Sequence, residues 1–199
     1  MKKYNATIYM VILLLTGCST LHKHSVRGVI YSSKTYTIKG VKYTPQLYYN
    51  YDKVGLASWY GPECHGKPKA QGEPYDQYAM TAAHKTLPLP TIVKVTNLAN
   101  GKSAVVLVDD RGPYIEKRIL DLSVSAAKML GTYDSGVAKV RVQALCKESD
   151  ALSMYLKENK GAMSKRQTWE HIYRSNIGAR NGYQQLTTVP QSTNIRTFR

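Results

Sequence analysis

Hydrophobic and polar positions along the chain fall into short runs rather than long helical stripes. Leu56-Ala57-Ser58-Trp59-Tyr60 runs up to Gly61, and Thr91-Ile92-Val93-Lys94-Val95-Thr96 is largely β-branched between Pro90 and Asn97. Both read as strands, because β-branched and aromatic side chains fit a pleated, half-buried surface. Asn100-Gly101 is a hairpin turn signal: both residues tolerate the positive φ that a tight turn between twisted strands requires. It leads into Ser103-Ala104-Val105-Val106-Leu107-Val108, an apolar run that fits a buried strand. Val137 to Leu145 alternates for most of its length and predicts another strand. One short helix is predicted from Ser123 to Leu130. Ser123 can cap its first amides, Ala126 and Ala127 favour helix, and Gly131 can close it. Many short strands with one small helix predict a compact barrel rather than a parallel α/β sheet.

These signals concentrate in residues 55–146. Residues 18–54 are polar and read as a tether and lead-in, with short extended pieces Tyr36-Thr37-Ile38 and Val41-Lys42-Tyr43 around Gly40. Residues 147–199 are a net basic extension. Ser153–Lys160 and Lys165–Ser175 are expected as short helices there, and the tail from Gly178 as disordered. At the other end, Lys2 and Lys3 precede an apolar run from Ile8 to Leu15, followed by Thr16-Gly17-Cys18. A basic start, a short apolar core and small residues at the cut describe a secretory signal over 1–17. The run is under half of the ~20 residues that a spanning helix needs.

Composition narrows the function. At 199 residues, 43% hydrophobic and 21% charged, the chain suits one domain with tails and is too apolar to be disordered throughout. The formal charge of +15 implies an acidic partner. Export excludes nucleic acid and leaves the cell wall or anionic lipid. Sixteen Tyr stand against one Phe and two Trp. An apolar ring with a polar edge suits a wet, sugar-like surface. Cys64 and Cys146 would either pair in an oxidising compartment or remain two thiols, and both readings stay open. Without a Cys-x-x-Cys spacing no metal site is expected, and no organic cofactor is indicated.

Three polar clusters carry candidate chemistry: Gly72-Glu73-Pro74-Tyr75-Asp76, Met80-Thr81-Ala82-Ala83-His84-Lys85-Thr86, and Asp109-Asp110-Arg111-Gly112-Pro113-Tyr114 followed by Arg118-Ile119-Leu120-Asp121. With Gly55-Leu56-Ala57-Ser58-Trp59-Tyr60-Gly61 before them and Leu130-Gly131 after, the ordered set resembles the rare lipoprotein A family. Leu15-Thr16-Gly17-Cys18 likewise resembles a bacterial lipobox. That resemblance implies acylation of Cys18 and, with Ser19 next, sorting to the outer membrane.

The family resemblance implies a mainly β fold, a six-stranded double-psi β-barrel with one or two short helices between flexible tails. It also implies a monomeric lytic transglycosylase acting on peptidoglycan glycan strands, with Glu73, His84 and Asp110 at its site. In this chemistry the muramic acid C6 hydroxyl replaces water, so one carboxyl can act as acid and then as base. Asp110 is assigned that role, because it stands between a strand end and a Gly-Pro turn. Asp109 beside it would favour its protonated form by like-charge repulsion, and Arg111 would oppose this if it points the same way. Glu73 and His84 are assigned to hydrogen bonding, orientation or a second proton transfer, with the division between Asp110 and Glu73 left open. Trp59, Tyr60 and Tyr75 are candidates for stacking on sugars, and Arg111 for substrate contact. Asp121 reads as a helix-start or core-network residue.

The chain departs from the family pattern at Cys64, where an aromatic is usual, at Lys69-Ala70-Gln71-Gly72 for Thr-Ala-Asn-Gly, and at Asp109 for Asn. The last segment is too short and too weakly patterned for the SPOR module many relatives carry. A non-catalytic wall-binding lipoprotein and a true hydrolase are the competing readings.

Overall fold

A computed structural model describes residues 34–46, 50–158 and 167–169. The Leu15–Cys18 box and the tail from Gly178 lie outside the described residues, as do most of Lys165–Ser175.

Six strands close into a barrel: β3 (Asp52–Trp59), β4 (Thr81–Ala83), β5 (Thr91–Asn97), β6 (Ser103–Asp110), β7 (Arg118–Leu122) and β8 (Ala138–Ala144), in the order β3-β7-β4-β6-β5-β8. The β3–β7 and β4–β6 pairs are parallel and the others antiparallel, so the six-stranded barrel expected closes as a mixed sheet. Before it, β1 (Tyr36–Ile38) and β2 (Val41–Tyr43) form a separate hairpin that turns at Lys39 and Gly40.

Strand alternation fills the barrel. Val93 and Val95 of β5, Ala104, Val106 and Val108 of β6, Leu120 and Leu122 of β7, and Val140 and Val142 of β8 share one buried cluster. Lys139 and Arg141, alternating with the β8 valines, face away. The uninterrupted apolar run of β6 has a second cause. Its outward Val105 and Leu107, with Ile92 of β5, lie under Leu152 and Trp169. Helix α2 (Cys146–Glu158) supplies Leu152, so it begins at Cys146 rather than Ser153 and covers the barrel instead of trailing from it. Ser149 on α2 accepts a bond from the Ile92 amide at 2.9 Å and donates to Leu145 O at 2.7 Å, tying helix to strand.

Helix α1 (Val124–Leu130) forms as its sequence dictates. Ser123 Oγ accepts from the Ala126 amide, and Gly131 ends the helix at φ +65°, where a side chain would be strained. Asn97 and Asn100, at the β5–β6 turn, both donate to Leu130 O and lock that turn to the helix end. Strands β4 and β7 were not anticipated. Cys64 and Cys146 are separate thiols, not a disulfide.

If α2 is part of the folded unit, Leu152→Ala should cost about 2–5 kcal/mol in urea unfolding, the price of a buried cavity. A loss within about 0.5 kcal/mol would show that the helix only leans on the barrel.

Candidate active site

The end of β6 carries two adjacent carboxylates with different surroundings. Its pairing with β4 runs Ala82↔Val108 and then Ala83↔Asp110, so Asp109 is an extra residue in the strand. Such a bulge re-aims the side chains around it. Asp109 is turned inward and is 2% exposed, while Asp110 is half-buried. Asp110 Oδ1 accepts from the amides of Ala70 at 2.7 Å and Arg111 at 2.8 Å. Its Oδ2 accepts from the Tyr60 hydroxyl at 3.0 Å. Two donors occupy Oδ1, so Oδ2 is the oxygen with a lone pair to offer a ligand.

The loop that reaches Asp110 is a tight hairpin. Tyr75 N donates to Lys67 O at 2.8 Å, Lys69 N to Glu73 O at 2.9 Å, and Gly72 N to Lys69 O at 2.8 Å. Gly72 supplies the required φ of +87°. Closing the turn sets Lys69 and Glu73 on the same side, with Nζ 3.9 Å from Glu73 Oε2. Lys69 is itself buried, and its ammonium bonds Asp109 Oδ2. Burial pushes the Asp109 carboxyl up to about 6 against the pull of this ammonium, with Asp110 and Glu73 adding repulsion. The loop thus draws Glu73 and Asp110 into one neighbourhood through Lys69, Ala70 and Asp109.

His84 follows β4 and is 4% exposed. Its Nδ1 accepts from the amides of Thr86 at 3.1 Å and Leu87 at 2.8 Å. The ring proton therefore sits on Nε2, which donates to Tyr51 Oη at 2.9 Å. Burial, with Arg111 and Lys85 nearby, holds the imidazole down to about 3, so it is neutral at pH 7. His84 meets Asp110 through the main chain: its amide donates to Asp110 O at 3.1 Å. The Arg111 guanidinium donates to the His84 and Leu87 carbonyls at 3.3 and 2.5 Å.

Among the aromatic candidates, Tyr60 touches Asp110, and burial followed by that carboxylate pushes its hydroxyl strongly up, so it remains a donor. Tyr75 is 5% exposed and packs 4.9 Å from the Tyr60 ring, its hydroxyl raised to about 12 by burial. Trp59 is half-buried, stacks on Tyr133 at 4.4 Å and donates to Tyr133 O. Asp121 lies in the barrel wall, 3.2 Å from Arg118 Nη2. Lys69, Ala70 and Tyr51 were missed by sequence reasoning. Only the departure of Lys69 from the family pattern hinted at it.

A family model for the double-psi β-barrel, described as "Lytic transglycolase", matches residues 52–142, from the start of β3 into β8. The fold is thus a double-psi β-barrel of that class. Over 165 residues the chain is 39% identical to the endolytic peptidoglycan transglycosylase RlpA of Rickettsia felis, covering 72% of each chain. To that of Rickettsia bellii it is 38% identical over 161 residues, covering 74% of this chain and 71% of the relative. The chain belongs to the RlpA family. It is 54% identical over 111 residues to RlpA of Pseudomonas aeruginosa, covering 55% of this chain and 33% of that one, so it spans about a third of that relative's length.

Asp109 and His84 make opposing pH signatures. The carboxyl is raised from 3.8 to about 6, so the native state holds a proton the unfolded chain lacks, and stability falls as pH rises through 6. The imidazole is lowered from 6.5 to about 3, so stability falls as pH drops below 6.5. Between pH 4 and 6 the two slopes oppose, each at most ~1.4 kcal/mol per pH unit. Asp109→Asn should therefore steepen the loss of melting temperature on acidification, and His84→Gln should flatten it. Parallel curves for both variants and the parent would contradict these environments.

Proposed function

We propose that the chain is a lytic transglycosylase that cleaves the MurNAc–GlcNAc bond of peptidoglycan glycan strands and leaves 1,6-anhydroMurNAc ends. The observation that carries this reading is the Asp110 carboxylate, held from three sides at a strand end with Glu73 brought toward it by the Lys69 turn. Membership in the RlpA family supports the same reading.

Asp110 donates a proton to the glycosidic oxygen as the bond to MurNAc C1 breaks, and GlcNAc leaves with a free O4 hydroxyl. The MurNAc O6 then bonds to C1, and its proton returns to the Asp110 carboxylate. The ring closes without water and the acid is regenerated. Tyr60 and the two amides fix the carboxylate so that Oδ2 faces the bond. Glu73, tied to Lys69, is a further carboxyl in this neighbourhood besides Asp109 and orients substrate. His84 is a positioning residue: its neutral ring holds the turn after β4, and its main chain holds Asp110 and Arg111. The protein works as a monomer in the cell envelope. It is anchored through lipid on Cys18 to the outer membrane and faces the periplasm, its basic charge favouring the acidic wall.

Asp110→Asn should lower the release of anhydro-ended fragments from purified peptidoglycan by about 100-fold or more, with melting temperature retained. Full product in that variant would refute the role. Reducing ends in the parent digest would mean hydrolysis instead, and binding without products a structural wall protein. Cys18→Ala should move the protein from the detergent phase to the aqueous phase, since each acyl chain contributes ~0.8 kcal/mol per buried methylene. Unchanged partitioning would contradict the anchor.

A further inference from the structure

The β1–β2 hairpin lies outside residues 52–142, the span shared with the family model. Strands of three residues do not hold together alone. This pair is fastened to the two loops that flank Asp110. The Tyr36 hydroxyl donates to Lys85 O at 2.7 Å, in the segment after His84, and Gln46 N donates to Thr86 O at 3.1 Å. The Arg111 guanidinium lies 5.4 Å from the Tyr36 ring centre. Tyr36 and Tyr43, opposite each other in the hairpin, stack at 5.2 Å. Tyr114 leans on both, at 6.4 and 5.8 Å.

This cluster has an outward face. Tyr114 is 41% exposed and Ile115 after it 56%. Tyr114 follows Asp110 by four residues, so at most ~14 Å of extended chain separates them. The Asp110 charge is felt at both the Tyr36 and Tyr114 hydroxyls. The tyrosines thus form an aromatic step four residues along the chain from the carboxylate, held at the Tyr36 hydroxyl and by ring contacts, and open at the Tyr114 ring. By contrast, Tyr75 is buried and Trp59 has a ring face taken up by Tyr133.

We propose that Tyr114, braced by Tyr36 and Tyr43 of the hairpin, is a glycan subsite that stacks on an N-acetylhexosamine ring of the strand cleaved at Asp110. A pyranose presents a C–H-lined face and a hydroxyl rim. An exposed phenol offers the matching apolar face, with polar groups at its edge. The hairpin then has a function: it stiffens the Arg111–Tyr114 loop so that the platform is set before substrate arrives, which lowers the ordering cost of binding. The subsite rests on the transglycosylase reading for its substrate class, but its binding is measurable without turnover.

The test uses glycan strands freed of stem peptides, titrated against the full chain carrying Asp110→Asn. Adding Tyr114→Ala should weaken binding about tenfold, the size of a lost aromatic contact. Tyr114→Phe should restore it, and Tyr43→Ala, which removes a brace but keeps the platform, should weaken it less. With Asp110 intact, the loss from Tyr114→Ala should fall on KM rather than kcat. Unchanged affinity in Tyr114→Ala overturns the subsite, even if the parent releases anhydro ends. A shifted melting temperature without a change in affinity also overturns it, because the face is then covered by protein. If the parent gives no anhydro products yet binding depends on Tyr114, the subsite stands and the cleavage reading fails.

Discussion

Lys69 and Asp109 meet inside the protein with almost no contact with water, and the site is arranged around that meeting. Removing a charge from water costs several kcal/mol even after relaxation, and only a close, well-oriented partner offsets it. Neither residue is therefore free to move away from the other. Lys69 belongs to the 66–75 loop and Asp109 to β6, so their contact fixes the loop against the strand. That fixing brings the Ala70 amide to Asp110 Oδ1 and sets Glu73 alongside. One oxygen of Asp109 is buried without a bond, so the pair is not fully satisfied. Removing Lys69 would leave the Asp109 charge buried without its partner, and removing Asp109 would leave Lys69 with only Glu73, 3.9 Å away.

The surroundings of Asp110 are mostly backbone. Two amides and one phenol hold its carboxylate, and a third amide, from His84, holds its carbonyl. Backbone donors belong to the main chain of fixed elements, so they are in place before any ligand arrives. His84 adds to the rigidity by staying neutral. With Nδ1 accepting two amides it acts as a turn clamp, and a protonated ring would lose both bonds. The histidine and the aspartate are joined through the main chain at the ends of the adjacent strands β4 and β6.

The parts of the fold that were legible in the sequence are those with local signals. β5, β6 and β8 carry apolar periodicity, and α1 carries its own cap and stop residues. β4 and β7 are short and contain or adjoin the polar clusters, so their strand character comes from distant pairing: Ala82 with Leu122, and Leu56 with Arg118. The start of α2 was hidden because its buried face, through Ser149 and Leu152, is completed only by the outer side of β5 and β6. The gathering of Glu73 and Asp110 was legible as a family pattern, not as geometry. No local rule places a lysine in the interior, since its burial depends on an aspartate forty residues away. Nor could sixteen tyrosines be sorted from the sequence into core and surface, because Tyr75 and Tyr114 differ in what packs over them, not in their neighbours along the chain.

The two departures at positions 69 and 109 are explained together. An Asp in place of Asn adds a negative charge to a site with 2% exposure, which alone would be strongly unfavourable. A Lys in place of Thr adds a positive charge to a position with 8% exposure, which alone would be no better. Facing each other, the two charges offset part of each other's burial cost. The exchange also sets an ammonium 3.9 Å from Glu73 and a second carboxylate beside Asp110. The barrel and the Asp110 carboxylate are held by main-chain pairing and amide donors, while the charged pair ties the 66–75 loop to β6.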